Sequence, residues 1–102
     1  MDLMEKWQSG DISAFESLFR QYQETAFKTA YLMLGDEEEA KDVLQEVFIS
    51  VWKSRNTFNP TKGKFTTWLH RIIVNQCLVR HRKKQPVAVS LEEARDGQVP
   101  TQ

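Results

Sequence analysis

The chain has 102 residues, of which 40% are hydrophobic, 11% aromatic and 27% charged. This is the composition of one small globular domain, and it excludes disordered and fibrous proteins. No apolar run approaches the roughly 18 residues that a membrane span needs. The acidic N-terminus also lacks the apolar core of a secretory signal. The single cysteine, Cys77, excludes an intramolecular disulfide and favours a cytoplasmic location without membrane insertion.

The common sequence motifs for metal binding, nucleotide binding and nucleophilic hydrolysis are absent from the chain. His70 and His81 are eleven positions apart on one predicted helix, about 16 Å along its axis, so they cannot share a metal within that helix. We therefore expect no enzyme activity, catalytic residue, metal site or cofactor.

The net charge is zero, but the charges are unevenly distributed. Residues 1–51 contain four basic and eleven acidic residues, whereas residues 52–102 contain ten basic and three acidic residues. The segment 53–84 contains nine Lys and Arg and no acidic residue. A basic half in an aromatic-rich domain favours a polyanionic partner, most simply nucleic acid, although a solvated basic face is the alternative.

The chain reads as a series of helices. A short helix is expected near residues 2–9. A long one follows over 11–34, where apolar residues recur every three or four positions. Asp11 is a suitable N-cap for the long helix and Gly35 a suitable C-terminal glycine. The predicted apolar positions are Phe15, Leu18, Phe19, Tyr22, Ala26, Thr29 and Met33, with a second stripe of Phe27, Tyr31 and Leu34.

The next helix is expected to begin after Asp36, which is a good N-cap, and to end near Ser54. Glu39 lies three residues after the cap, as in a capping box. The predicted core face comprises Ala40, Val43, Leu44, Val47, Phe48 and Val51.

Residues 55–64 form a predicted loop, because Asn59-Pro60 disfavours a helix and Gly63 permits unusual backbone angles. The last helix is expected over 65–84, since Pro86 prevents its continuation. Its predicted buried stripe is Leu69, Ile72, Ile73, Gln76 and Val79. The sequence thus predicts an all-α, compact antiparallel bundle of three long helices and a short N-terminal helix, without a sheet.

One face of the predicted third helix is unusual, because Ile49 lies at its centre where solvent is expected. The surrounding residues are Asp42, Gln45, Glu46 and Lys53. An apolar centre with a polar rim is typical of a protein–protein contact. The alternative is a solvated acidic face that carries one stray isoleucine.

The last helix has a second unusual face, on which Arg71, Asn75 and Arg82 align beside Trp68. Guanidinium groups suit phosphates, an amide suits a base edge, and an aromatic ring can stack on an unpaired base. This combination favours single-stranded nucleic acid. The alternative is that Trp68, together with Phe58 and Phe65, covers the core.

Two segments, AKDVLQEVFISVW and FTTWLHRIIVNQCLVRHRKK, resemble region 2 of bacterial sigma factors of the extracytoplasmic-function (ECF) group, in the sigma-70 family. The resemblance covers residues 14–84. Its supporting features are Gly10-Asp11 just before this range and, within it, Leu34-Gly35-Asp36, the DxxQE pattern at 42–46 and WLxRIxxN at 68–75. Each motif is weak alone, but their order and spacing are specific.

The resemblance implies a transcription initiation factor that binds RNA polymerase core and recognises and helps to melt the promoter −10 element. The polymerase contact would be the clamp helices of the β′ subunit, bound by Asp42, Gln45, Glu46 and Ile49. The DNA partner would be mainly the single non-template strand, with one base flipped into a pocket beside Asn75. The implied DNA-binding residues are Phe58, Asn59, Lys62, Lys64, Trp68, Arg71, Ile72, Asn75, Arg82 and Lys83. The resemblance also implies an anti-sigma factor as a partner.

The chain departs from the family in two respects: no sequence for a second, −35-reading domain is present, and the loop NTFNPTKGKF differs from many relatives in length and composition. We expect residues 1–85 to form the region 2 domain and residues 86–102 to be the flexible start of an interdomain linker.

Two other functions remain as alternatives. A duplex-reading helix-turn-helix regulator would need a tighter turn than the ten-residue loop. A helical protein-interaction module would bind polymerase or an anti-sigma factor without reading DNA.

Overall fold

A computed structural model describes residues 2–84, and every regular element in this range is helical. Four α-helices follow one another: α1 (Leu3–Gln8), α2 (Ile12–Leu34), α3 (Glu37–Lys53) and α4 (Phe65–Lys84). A 3₁₀ turn, Arg55–Thr57, follows α3. The predicted all-α bundle of three long helices and a short N-terminal helix is confirmed.

Three aspartates begin the first three helices. The Asp2 side chain accepts a hydrogen bond from the Glu5 N–H, and the Glu5 carboxylate accepts one from the Asp2 N–H, which completes a capping box. Asp11 caps α2 by accepting from two backbone N–H groups, and Asp36 caps α3 by accepting from the Glu39 N–H. Short acceptor side chains satisfy N–H groups that have no partner within the helix.

The chain turns from α2 into α3 over only two residues. Gly35 has a φ of 71°, in the left-handed region that glycine adopts without steric cost, and its N–H donates to the Tyr31 carbonyl. In the last turn of α2, the Met33 carbonyl lies 3.1 Å from Nε2 of His81 in α4. These contacts fix the ends of α2, α3 and α4 at one end of the bundle.

The core lies where α2, α3 and α4 meet and extends beneath α1. Trp7, Leu18, Val43, Val47 and Ile73 are fully or almost fully buried. Ala26, Ala30 and Ala40 are also buried, and such small residues let helices approach closely. The predicted apolar faces of α2 and α3 are largely buried, but Tyr31 of the second α2 stripe is exposed. The burial of Ala26 and Ala40 was predicted from the periodicity, whereas that of Ala30 and the central position of Trp7 were not.

The predicted buried stripe of α4 is wrong at Val79, which is 37% exposed. The observed stripe is instead Leu69, Ile73 and Cys77, at intervals of four residues. This stripe stays on one side of a helix with 3.6 residues per turn, whereas Val79 lies about 120° away from Ile73. Burial raises the pKa of the Cys77 thiol, which therefore serves as a small packing group.

The predicted extent of the domain, residues 1–85, stays a prediction. The predicted linker, residues 86–102, lies outside the described residues, as does the side chain of Lys83 in α4. In the described part of the chain, no helix is both long enough and apolar enough to cross a membrane.

Candidate functional site

The outer side of α3 carries the predicted protein-contact residues, which we call the acidic face: Asp42, Gln45, Glu46 and Ile49. All four side chains are exposed, and Ile49 retains 53% of its accessible surface. The core side of α3 is formed by residues such as Val43 and Val47, so exposure and burial follow the helical period. The side chains of the acidic face therefore do not pack in the core.

An arginine from another helix pairs with two members of the acidic face. The Arg80 guanidinium lies 3.7 Å from the Asp42 carboxylate and 3.5 Å from the Glu46 carboxylate. Asp42 and Glu46 are one helical turn apart, so a single side chain from α4 bridges both. Periodicity did not reveal Arg80, because the contact joins residues that are more than 30 positions apart.

An apolar groove of about 440 Å³ adjoins the acidic face between α2 and α3. Its wall includes a run of aromatic contacts, in which the Phe15 and Trp52 ring centres are 5.2 Å apart and those of Phe19 and Phe48 are 5.0 Å apart. Ile49 extends from the acidic face into the lining of the groove, and Gln45 and Lys53 provide its polar rim. The acidic face and the groove thus form one continuous surface with an apolar centre.

Four aromatic rings form what we call the aromatic cluster: Trp7, Phe58, Phe65 and Trp68. The Trp7 ring lies 6.1 Å from Phe58, 5.4 Å from Phe65 and 5.6 Å from Trp68, measured between ring centres. Phe58 and Phe65 are only 6% and 7% exposed, whereas Trp68 is half-buried. The cluster therefore brings together α1, the start of α4 and both ends of the intervening loop.

The loop 59–64 rises from the aromatic cluster towards solvent. The Asn59 side-chain oxygen accepts hydrogen bonds from the Thr61 N–H at 3.0 Å and the Thr61 hydroxyl at 2.7 Å, which stabilises a turn. Lys62 and Lys64 are exposed on this loop. The Asn59 side chain thus shapes the loop, while the two lysines present positive charge.

The outward side of α4 carries the predicted nucleic-acid residues, which we call the basic face: Arg71, Asn75 and Arg82. All three are exposed, and within residues 2–84 none forms a side-chain hydrogen bond or an ion pair. The half-buried side chains of Trp68 and Ile72 lie on the same helix, towards the loop. The basic face therefore offers unpaired donors next to an apolar patch.

The basic face and the acidic face lie on different sides of the bundle. Arg80, which pairs with the acidic face, is about 140° from Asn75 around α4. The geometry therefore allows the acidic face and the basic face to contact different partners at the same time.

The described residues thus form an all-α domain with two separate exposed faces. The sequence profile of the family described as Sigma-70 region 2 matches residues 18–87. The chain belongs to the Sigma-70 region 2 family. The predicted resemblance is confirmed.

Several relatives are ECF RNA polymerase sigma factors. SigW of Bacillus subtilis (strain 168) is 39% identical over 77 residues, which are 76% of this chain and 41% of that protein. SigE of Mycolicibacterium smegmatis is 37% identical over 79 residues, which are 74% of this chain and 30% of that protein. The RNA polymerase sigma-H factor of Pseudomonas aeruginosa is 33% identical over 96 residues, 90% of this chain and 49% of that protein. The chain thus spans less than half the length of these relatives.

A solved structure shares the fold. The NMR structure of an engineered region 2 of sigmaE in complex with GTAAAA has a TM-score of 0.70 and 31% sequence identity to this chain. The similarity covers 82% of this chain and 90% of that chain. The arrangement of α1–α4 is therefore that of a sigma region 2 domain.

Proposed function

We propose that this domain binds RNA polymerase core through the acidic face and the promoter −10 element through the basic face and the loop 59–64. The observation that carries the proposal is the basic face, whose exposed side chains form no hydrogen bond or ion pair within residues 2–84 and extend along α4 away from a loop anchored on aromatic rings. The proposal is also supported by the similarity of this chain to an engineered region 2 of sigmaE in complex with GTAAAA. The protein would then act in the bacterial cytoplasm, without membrane insertion.

The DNA-binding residues divide into two groups by their chemistry. Arg71, Arg82 and Lys83, with Lys62 and Lys64 of the loop, would neutralise phosphates of the non-template strand. Asn75 would hydrogen-bond a base edge, since an amide offers both a donor and an acceptor. The first group would supply affinity and the second selectivity.

The base pocket would lie between the loop and α4. Ile72 and Trp68 are half-buried beside Asn75, so they would contact the faces of a flipped base. Phe58 is 6% exposed and would form the floor of the pocket, and Asn59 would hold the loop in the shape that covers it. Aromatic and aliphatic surfaces suit a base, because every base has an apolar face.

The polymerase contact would use Asp42, Gln45, Glu46 and Ile49 on the β′ clamp helices. Ile49 and the adjoining groove would bury apolar side chains of the partner, while the carboxylates would meet cationic groups. An anti-sigma factor would compete for these surfaces. The groove also favours a second candidate function, a protein-interaction module that binds polymerase or an anti-sigma factor without reading DNA.

The experiment that separates these functions compares Asn75→Ala with Arg82→Ala. Binding of the 102-residue chain to single-stranded hexamers would be measured, beginning with GTAAAA and its single-base variants, over a range of salt concentrations. We expect Asn75→Ala to reduce the preference for one base by about 1–3 kcal/mol. Arg82→Ala should weaken binding to every hexamer alike and reduce the salt dependence.

Arg20→Ala is the matched control, because Arg20 is an exposed arginine of α2. It should leave both affinity and preference unchanged. Equal, unselective binding of all hexamers by the unaltered chain would favour the protein-interaction module. If Asn75→Ala lowered affinity for every hexamer equally, the assignment of Asn75 to a base edge would be wrong.

A further inference from the structure

We infer that Gln8 of α1 is a positioning residue for promoter reading, because it holds the backbone from which the loop 59–64 departs. The Gln8 side-chain amide donates hydrogen bonds to the Arg55 carbonyl at 2.8 Å and to the Phe58 carbonyl at 2.7 Å. This inference rests on the proposed function, since it assigns to α1 a share in the selectivity of the basic face and the loop.

The two carbonyls bracket the 3₁₀ turn that links α3 to the loop. Arg55 begins the turn, and Phe58 is the residue directly before Asn59. One NH₂ group thus fixes both ends of a four-residue segment. Both bonds are partly buried, so solvent competes with them less than with a bond on the open surface.

Trp7, the neighbour of Gln8, holds the side chains at both ends of the loop. Its fully buried ring contacts Phe58, before the loop, and Phe65, after it. Trp7 fixes the rings beneath the loop, and Gln8 fixes the backbone that leads into it. Two kinds of contact therefore anchor the loop 59–64 on α1: the ring packing of Trp7 and the hydrogen bonds of Gln8.

The turn between α1 and α2 approaches the same segment. Gly10 has a φ of 101°, and a Cβ placed there would lie 3.7 Å from Nη2 of Arg55. The Arg55 guanidinium lies 4.1 Å from the centre of the Trp52 ring and donates to the Trp52 carbonyl at 2.8 Å. Arg55 is thus held between α3 and the N-terminal turn, which restrains the 3₁₀ turn further.

The residues that carry this support precede the family match, which begins at residue 18. Gln8 is too far from Asn75 in sequence for any motif to connect them. Its two hydrogen bonds nevertheless set where the loop stands relative to Ile72 and Asn75. A loop that shifts by a few tenths of an ångström would contact a bound base differently, while phosphate contacts on α4 would be unaffected.

The test is Gln8→Met, a neutral change of similar size that removes both donated bonds. We expect the ratio of affinities between the preferred hexamer and its single-base variants to fall roughly three- to tenfold, as for the loss of a hydrogen bond or two. Affinity for the weakest hexamer and the salt dependence should stay unchanged. The ¹³C signals of the Arg55 and Phe58 carbonyls should move.

Two further variants make the result specific. Gln21→Met makes the same change at an exposed position of α2 and should alter neither the affinity ratio nor those carbonyl signals. Gln8→Lys restores a donor and should return the ratio towards that of the unaltered chain, with Gln21→Lys as the control for added charge. If Gln8→Met fails to fold, Gln8→Ala removes the same two donated bonds without adding a bulky apolar side chain, and it should lower the ratio in the same way.

Two outcomes would overturn the inference, and they differ in meaning. If the unaltered chain prefers certain hexamers and the variants that remove the Gln8 donor retain the same ratio, only the role of Gln8 is wrong. If the unaltered chain binds all hexamers alike, the proposed function fails and the role of Gln8 in reading fails with it.

Discussion

The acidic face and the basic face with its loop are built in different ways. The acidic face lies on one regular helix, and its residues are exposed because α3 turns its other side to the core. The loop beside the basic face depends on α1, the 3₁₀ turn and α4, which meet in the aromatic cluster. A surface on one helix tolerates changes elsewhere in the domain, whereas a surface assembled from several elements depends on distant residues.

The largest expected effect is that of Trp7→Ala. Removing this fully buried ring would leave a cavity beneath the loop and should cost about 3–5 kcal/mol of unfolding free energy. Urea denaturation followed by circular dichroism measures this loss. The control is Trp52→Ala on the groove, where the half-buried ring should cost less. Equal losses of unfolding free energy for the two variants would show that the aromatic cluster does not stabilise the domain more than the groove does.

The second prediction concerns the acidic face, where the double variant Asp42→Asn, Glu46→Gln removes two charges while preserving size. Binding to RNA polymerase core should weaken by about 1 kcal/mol or more, as for charges that meet a cationic partner. Because the ion pairs with Arg80 are solvent-exposed on the acidic side, folding stability should change by only about 0–1 kcal/mol. A pull-down at several salt concentrations, together with thermal melting, measures both quantities.

Two controls belong to this prediction. Arg80→Gln removes the paired cation but leaves the acidic face in place, so it should retain core binding. Glu24→Lys changes the charge of an exposed residue of α2 outside both faces and should have no effect on core binding. Core binding that is indifferent to the double variant would contradict the assignment of the acidic face.

The smallest expected effect is that of Asp11→Ala at the start of α2, outside both faces. Hydrogen bonds from the Ala14 N–H, the Ser13 hydroxyl and the Ser13 N–H hold the pKa of the Asp11 carboxyl below its ordinary value of 3.8. Since the folded pKa is lowered, the stabilisation is fully present above 3.8 and is lost as the pH falls through the folded value.

Thermal melting at neutral pH should show a lower midpoint for Asp11→Ala than for the unaltered chain. The difference between the two midpoints should shrink below pH 3.8. DNA preference and polymerase binding at neutral pH should both be unchanged. A difference that persisted unchanged in acid would show that the charge of Asp11 does not stabilise the cap.

Local signals allowed most of the fold to be predicted from the sequence. Asp11, Gly35 and Asp36 are capping residues whose side chains or backbone act within four residues, so they mark helix ends directly. The exposed acidic face followed from the same periodicity as the core of α3. The basic face likewise followed from spacing along one helix.

The contacts that the sequence did not reveal join distant parts of the chain. Gln8 lies 47 and 50 residues from its two acceptors, and Arg80 lies 34 residues from Glu46. Such contacts cannot be predicted from the spacing of residues along the chain, because that spacing reflects only which residues share one face of a helix. Val79 was misplaced for a different reason, because it lies about 120° from Ile73 around α4 and is therefore outside the buried stripe.

The most direct test of the account is an NMR titration of the ¹⁵N-labelled 102-residue chain with GTAAAA and its single-base variants. The account predicts that amide signals of the loop 59–64 and of α4 around Asn75 move, by amounts that depend on the hexamer. Signals of residues 42–49 on the acidic face should remain in place. Changes centred on the acidic face, or identical changes with every hexamer, would contradict it.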